Sequence, residues 1–251
     1  MPKIIFAAIS PHPPIILPNV GSSEDRTQVK NTILALEKLG KKLKEANPDS
    51  IIISAPHPDW GFEVPLHFLN SKFKNQNAKL QFKIQNYQNP NNITIKQSLF
   101  NIYPILTTLD SPQQHYKWGR NLYLKIKNLK LKIAFIASGD MSHCLKEEGP
   151  YGFHPDGPKF DNVLIEALNP VRDSKNDVGK PREQISNGVK KKDIETILKL
   201  DELYPEAGEC GLRSFCFLLG ILEASGISWQ PEILSYEGPF GVGYLVVNFK
   251  L

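Results

Sequence analysis

Three short runs of apolar residues, each followed by a loop of small residues, organise the chain. They cover residues 4–9, 51–53 and 133–137 and are rich in isoleucine, alanine and phenylalanine. Continuous apolar runs between chain-breaking residues predict strands that are buried on both faces of a sheet. A histidine stands in the loop after each run: His12, His57 and His143.

Helical patterns separate these runs. Ser22 followed by acidic residues predicts a helix start, and apolar residues at helical spacing continue this helix to about Asn47. Ser111 and Pro112 predict the start of a second helix, which leads into the third apolar run. A strand, a helix and a second strand in succession predict parallel strands joined by a right-handed crossover.

The rest of the chain extends this pattern. Residues 212–224 are the most apolar helical stretch, and strands are predicted over residues 232–236 and 244–249. Alternation over residues 80–84 predicts an exposed strand, and the polar residues 172–192 predict a surface segment. No linker divides the sequence, so we expect an α/β fold in one domain that spans residues 1–251.

Composition limits the classes of protein to which the chain could belong. Of its 251 residues, 41% are hydrophobic and 22% are charged, and the formal net charge is +4. We expect no nucleic-acid partner, because no compact basic face or aromatic ladder is visible. We expect no signal peptide, because the sequence opens on a strand-like segment with no basic n-region and no cleavage site. We expect no membrane segment, because no apolar stretch approaches about 20 residues. Three cysteines without a CxxC spacing fit a cytoplasmic location rather than a disulfide framework.

The first two histidines are candidates for a metal site. Ligands bind outside the carboxyl ends of parallel strands, so loops after neighbouring strands would converge there. His12 and His57 are both flanked by prolines, which restrict the backbone and reduce the entropy lost on binding. Two histidines and a carboxylate with open positions form the facial triad of non-haem Fe(II) enzymes. The sequence leaves open the alternative that both are surface-loop histidines at strand ends.

Two adjacent residues compete for the third metal position. Glu209 and Cys210 precede the apolar helix at residues 212–224, where backbone N–H groups favour an anion. Glu209 would complete a facial triad, whereas Cys210 would give a site with two histidines and a thiolate. The spacing also allows that Glu209 only complements the helix dipole and that Cys210 is a small buried residue.

The third loop carries candidates for proton transfer. His143 stands close to Asp140, which could orient an imidazole whose pKa ordinarily lies near neutrality. The alternative is a loop histidine that bonds to a backbone carbonyl. His154, with Asp156 nearby, is a candidate for a contact with the substrate or with the residues behind the metal ligands. A serine hydrolase is a poor fit, because the sequence lacks a G-x-S-x-G turn.

Five blocks of sequence together resemble one known family. They are ISPHPP at residues 9–14, APH at 55–57, SGDMSH at 138–143, GPYGFHPDGP at 149–158 and EAGECGLRS at 206–214. With these blocks the chain resembles the LigB superfamily of class III extradiol ring-cleavage dioxygenases. Within it, the chain is most similar to the dioxygenase-like proteins of the AmmeMemoRadiSam system, which are relatives of the Memo proteins.

The resemblance implies a fold, a site and a reaction. The fold is a three-layer α/β/α domain with a mixed, largely parallel central sheet. The metal ligands are His12 and His57 with Glu209, as in the ring-cleaving enzymes, or with Cys210, as in Memo-type relatives. His143 is the residue that transfers a proton. The implied metal is Fe(II), with Zn(II) or Cu as alternatives, and the reactants are a catechol-like aromatic compound and O2.

The resemblance leaves further functions open. A Memo-like relative would be a non-catalytic or regulatory metal-binding protein that acts with AMMECR-type and radical-SAM partner proteins. A zinc-dependent hydrolase with the same ligands is a third function. A homo-oligomer is compatible with each of the three.

Overall fold

One sheet runs through the computed structural model of the protein, which describes residues 3–69, 88, 90, 93, 101–169 and 191–251. Its strands are β1 (Lys3–Ser10), β2 (Ser50–Ala55), β3 (Asn101–Leu106), β4 (Lys132–Ser138), β5 (Gln230–Glu237) and β6 (Tyr244–Lys250). They lie in the order β3-β2-β4-β1-β6-β5. The first four strands in that order are parallel, and β6 is antiparallel to both β1 and β5. The sheet is therefore mixed and largely parallel.

The three strands that precede the histidine loops lie side by side, with β4 between β1 and β2. Ser10 of β1 pairs with Ser138 of β4, and Ser54 of β2 pairs with Ala137 of β4. The three strands thus end at nearly the same level. Their loops leave the same edge of the sheet, where α/β folds bind ligands.

Helices cover both faces of the sheet and complete a three-layer α/β/α arrangement. The helices are α1 (Ser23–Gln28), α2 (Lys30–Ala46), α3 (Trp60–Leu69), α4 (Pro112–Ile126), α5 (Asp156–Ala167), α6 (Lys191–Ile197), α7 (Leu200–Leu203) and α8 (Leu212–Ser225). On one face α4, α5 and α8 pack over a core that includes Phe135 and Phe160. On the other face α2 and α3 pack over a core that includes Ile53 and Phe62. The fold implied by the resemblance is confirmed.

The chain between β2 and β4 contains a helix and a strand that the sequence pattern did not predict. The sequence after His57 carries no helix signal, but Trp60 is the first residue of α3. Gly61 and Pro65 disfavour a helix, but α3 buries an apolar face that offsets their cost. Strand β3 contains Pro104 and stands at the end of the strand order, where proline is tolerated.

The remaining differences are smaller. The first predicted helix is divided at Val29, whose backbone leaves the helical region and whose side chain is fully buried. The predicted strand at residues 80–84 lies outside the described residues, as does most of the polar segment at 172–192. None of the described helices combines the length and the apolar composition that spanning a bilayer requires.

Candidate metal centre

Loops at the ends of β1 and β2 bring two imidazoles together. The ring centroids of His12 and His57 lie 5.3 Å apart, and the ring planes make an angle of 77°. Gly61, at the start of α3, lies beside both histidines. A Cβ at this position would lie 3.5 Å from the Cβ of His57 and 4.0 Å from Nδ1 of His12. The two histidines therefore face a common space, as a shared metal site requires.

His12 is the buried member of the pair, with 4% of its surface exposed. Its backbone N–H donates to Oδ1 of Asp140 over 2.9 Å, and its Nδ1 lies 3.0 Å from the hydroxyl of Ser138. Burial, together with the nearby His57, lowers the pKa of His12 to about 3. The imidazole is therefore neutral near pH 7, which is the form that binds a metal ion.

Cys210 reaches the histidines from the loop before α8. Its Sγ lies 3.5 Å from Nε2 of His12 and accepts a hydrogen bond from the backbone N–H of Asp140 over 3.3 Å. Two glycines allow this approach, because a Cβ on Gly139 would overlap the backbone of Gly211. Burial raises the pKa of the Cys210 thiol well above its ordinary value, so the metal-free thiol is protonated.

The potential ligand atoms form two overlapping groups among the described residues. Those of His12, His57 and Cys210 all lie within 4.8 Å of one another, as do those of Asp140, His143 and Cys210. Two imidazoles and a thiol suit Fe, Zn or Cu, and a bound cation would favour the thiolate. The first group therefore fits a mononuclear centre for a transition metal.

The carboxylate of Glu209, the other candidate for the third ligand, lies outside the group formed by His12, His57 and Cys210. It accepts a hydrogen bond from the backbone N–H of Leu212 over 2.6 Å and lies 3.3 Å from the guanidinium of Arg213. Burial raises the pKa of Glu209 to about 7, against the opposing effects of Leu212 and Arg213. The side chain is thus bonded to the first turn of α8, and it belongs to neither group of potential ligands among the described residues.

Asp140 and His143 stand beside the metal group. Burial raises the pKa of Asp140 to about 6, although the N–H of His12 and the imidazoles of His143 and His57 oppose the shift. Burial lowers the pKa of His143, although Asp140 opposes this. Nε2 of His143 is buried and has no hydrogen-bond partner among the described residues. An orphaned buried nitrogen at this position is accounted for if a substrate or an ion supplies the missing partner.

His154 lies apart from both groups of potential ligands. Its Nδ1 accepts a hydrogen bond from the backbone N–H of Asp156 over 3.2 Å, and the carboxylate of Asp156 lies 3.8 Å from the same nitrogen. The side chain is about half exposed. Its predicted contact with substrate stays a prediction.

The sequence patterns did not single out two residues that lie near the site. Ser138 bonds to His12, and a signal for it existed, because Ser10, Ser54 and Ser138 each stand within the last two residues of a strand. The Tyr151 ring lies against that of His143, with centroids 5.0 Å apart, and 64% of its surface is exposed. Tyr151 belongs to the GPYGFHPDGP block at residues 149–158, but nothing in that block indicates a contact with His143.

Comparison with known proteins gives three findings. Residues 55–247 match the family described as the catalytic LigB subunit of aromatic ring-opening dioxygenase. Protein CA_C1420 from Clostridium acetobutylicum is 30% identical over an alignment of 286 residues, which covers 96% of this chain and 56% of that protein. The chain thus spans about half the length of this curated relative. The crystal structure of the uncharacterized protein JW3007 from Escherichia coli K12 is 14% identical, covers 97% of this chain and 99% of its own, and gives a TM-score of 0.46.

Proposed function

This chain belongs to the LigB family, that of the catalytic subunit of aromatic ring-opening dioxygenases, and on this premise we propose that it is an extradiol-type dioxygenase of the cytoplasm. The substrate class is a catechol-like aromatic compound. The reaction breaks the ring C–C bond beside the paired hydroxyl groups, and both atoms of O2 enter the product. The observation that carries the proposal is the convergence of His12, His57 and Cys210, with His143 next to them.

His12, His57 and Cys210 would hold the metal, with Fe(II) as the favoured ion. When bound, the metal supplies a Lewis acid and a redox centre on which aromatic diol and O2 are brought together. The protein residues contribute a rigid frame. Prolines restrict both histidine loops, and the bond from the N–H of His12 to Asp140 ties the first loop to the third.

His143 would accept a proton from a substrate hydroxyl at Nε2 and later return it. This role needs an imidazole that is neutral at working pH, and burial favours that form by lowering the pKa of His143. Nε2 has no hydrogen-bond partner among the described residues, so it is free to meet a hydroxyl group. The Asp140 carboxylate nearby would stabilise the imidazolium that forms once the proton is taken.

The open side of the site supports substrate access. His57 and Tyr151 are both exposed, whereas His12 and Asp140 are buried. An aromatic substrate that enters from this side would meet the ring of Tyr151, which already lies against His143. Stacking on tyrosine favours flat aromatic compounds over aliphatic diols of equal size.

The test is a turnover assay in air. The protein is first purified without oxygen and loaded with Fe(II). A panel of substituted catechols is followed by absorbance of ring-opened products and by O2 consumption. We expect turnover with at least one catechol, and we expect His143→Ala to retain Fe(II) while losing about 10²- to 10⁴-fold in rate. Loss of iron from that variant would contradict the assigned role of His143.

A second function is favoured by one observation, namely that Cys210 rather than Glu209 lies with the histidines. Memo-type relatives carry a cysteine at this place, and their chemistry would be that of a non-catalytic or regulatory metal-binding protein. AMMECR-type and radical-SAM proteins would then be the partners. Stoichiometric metal binding without any ring-opened product across the catechol panel is the result expected for this function.

A further inference from the structure

The second nitrogen of His12 bonds to a serine that the proposed metal site does not use. Nδ1 of His12 lies 3.0 Å from Oγ of Ser138, while Nε2 of the same ring faces Cys210. Ser138 is the last residue of β4 and is fully buried. The pairing of β4 with β1 fixes the backbone of Ser138, so the hydroxyl stays within reach of the His12 ring.

A hydroxyl is the side chain that can serve both states of a metal-binding imidazole. It can donate a hydrogen bond or accept one, whereas a carboxylate or a carbonyl only accepts. When Nε2 carries the ring proton, the Ser138 hydroxyl donates to Nδ1. When Nε2 offers its lone pair to a metal, the proton stands on Nδ1 and the hydroxyl accepts. The bond to Ser138 is thus kept in both states.

We propose that Ser138 is a positioning residue, which pairs the Nδ1–H of a metal-bound His12, keeps Nε2 directed at the metal and so raises the metal affinity of the centre. The inference rests on the proposed metal site. Without the hydroxyl, the Nδ1–H of a metal-bound His12 would be buried and unpaired, a state that costs free energy. Partners of this kind behind a ligating histidine typically contribute about 10- to 100-fold in metal affinity.

The chain provides a matched control for this role. Ser10 pairs directly with Ser138 in the sheet and is also fully buried. Its hydroxyl donates to the backbone carbonyl of Pro11 rather than to an imidazole. Ser10→Ala therefore removes an equally buried hydroxyl, one residue along β1 from the start of the His12 loop, without touching the ring nitrogen.

The experiment uses Zn(II), which is not oxidised in air, as the probe. Metal-free wild-type protein and the variants Ser138→Ala, Ser138→Thr and Ser10→Ala are titrated in competition with a chromophoric chelator. We expect about one zinc per wild-type chain and, for Ser138→Ala, a dissociation constant about 10- to 100-fold higher. Ser138→Thr keeps a hydroxyl and should restore binding to within about threefold, as should Ser10→Ala. Thermal unfolding of each metal-free variant checks that the fold is retained.

A spectroscopic readout of the wild-type protein does not depend on any variant. The ¹⁵N shifts of the His12 ring in zinc-loaded protein should report a protonated Nδ1 and a coordinated Nε2. Coordination through Nδ1, equal zinc affinity of Ser138→Ala and wild type, or an equal loss in Ser10→Ala would each overturn the role of Ser138. A wild-type protein that binds neither zinc nor iron would overturn the metal site itself, and the inference with it.

Discussion

The two proline-flanked histidine loops have nearly the same local sequence and quite different surroundings. His12 in the first loop is 4% exposed and is bonded through its backbone to Asp140 and through its ring to Ser138. His57 in the second loop is exposed, although its ring lies 5.3 Å from that of His12. One loop thus supplies the inner side of the site, and the other supplies its outer side.

The difference shows that distant parts of the chain, rather than the loop sequence, decide how deeply each histidine is buried. Asp140 and Ser138, which hold His12, lie more than a hundred residues further along the chain. Each is placed by β4, which lies between β1 and β2. We therefore expect the inner histidine to affect both stability and metal binding, and the outer histidine to affect metal binding alone.

Replacing each histidine by alanine should give the largest effects and tests this contrast directly. Both His12→Ala and His57→Ala should reduce bound metal to near zero, because each removes one of three ligands. Without metal, His12→Ala should lower the free energy of unfolding by about 2–3 kcal/mol, since it leaves a cavity and an unpaired Ser138. His57→Ala should change it by less than about 0.5 kcal/mol, as for most exposed side chains.

Urea unfolding in the presence of a chelator measures these free energies, and metal analysis of anaerobically loaded protein measures occupancy. Equal destabilisation by the two variants would show that the inner and outer loops do not differ as described. Full metal occupancy in either variant would remove that histidine from the ligand set.

The contrast between local sequence and tertiary surroundings also explains which elements could be predicted from the sequence. The strands β1, β2 and β4 were predictable because uninterrupted apolar runs report burial on both faces. The helix α3 was not, because Gly61 and Pro65 argue locally against a helix that tertiary packing stabilises.

The third ligand could not be decided from the sequence for a related reason. Glu209 and Cys210 are neighbours in the chain, and either could precede a helix. The contact between Gly139 and Gly211 directs the thiol toward His12, and that contact joins the loop after β4 to the loop before α8. No local pattern encodes it.

Alanine at Cys210 and at Glu209 should therefore have opposite effects on metal binding. Cys210→Ala should lose the metal, and it should lower the free energy of unfolding of the metal-free protein by about 1 kcal/mol, because the N–H of Asp140 loses its acceptor. Glu209→Ala should keep metal affinity within about threefold but should lower the free energy of unfolding by about 1–2 kcal/mol, because Leu212 loses the acceptor for its N–H. Zinc titration and urea unfolding of both variants provide the comparison. Retained metal in Cys210→Ala together with lost metal in Glu209→Ala would make Glu209 the ligand.

Gly61 offers a smaller perturbation that acts between the two loops. A Cβ at this position would lie 2.9 Å from the Cβ of Ala55 and 4.0 Å from Nδ1 of His12. Gly61→Ala should therefore displace the end of β2 and the His57 loop, at a cost of about 1 kcal/mol in stability. Zinc affinity should fall by roughly 3- to 10-fold. Adding Ala55→Gly restores the space and should recover the affinity; no recovery would mean that the loss has another cause.

The last expected effect depends on pH and concerns the third loop, which resembles the first in being held from within. The buried carboxylate of Asp161 accepts hydrogen bonds from the N–H of Ser142 over 2.8 Å and from the hydroxyl of Tyr236 over 2.6 Å. Burial raises its pKa to about 6, although Tyr236 and Ser142 oppose the shift. The folded protein therefore holds this proton more tightly than the unfolded chain, in which an aspartate titrates near pH 3.9.

The sign of the pH dependence follows from that difference in pKa. The stabilisation from the protonated carboxyl is fully present below about pH 4 and is lost as pH rises through about 6, by roughly 1 kcal/mol or more. Asp140 titrates in the same range, so the contribution of Asp161 is obtained by subtracting the urea-unfolding curve of metal-free Asp161→Asn from that of the wild type. A difference that falls across this window would identify Asp161 as the group responsible. A difference independent of pH would mean that Asp161 is ionised in the folded protein, with Tyr236 and Ser142 outweighing its burial.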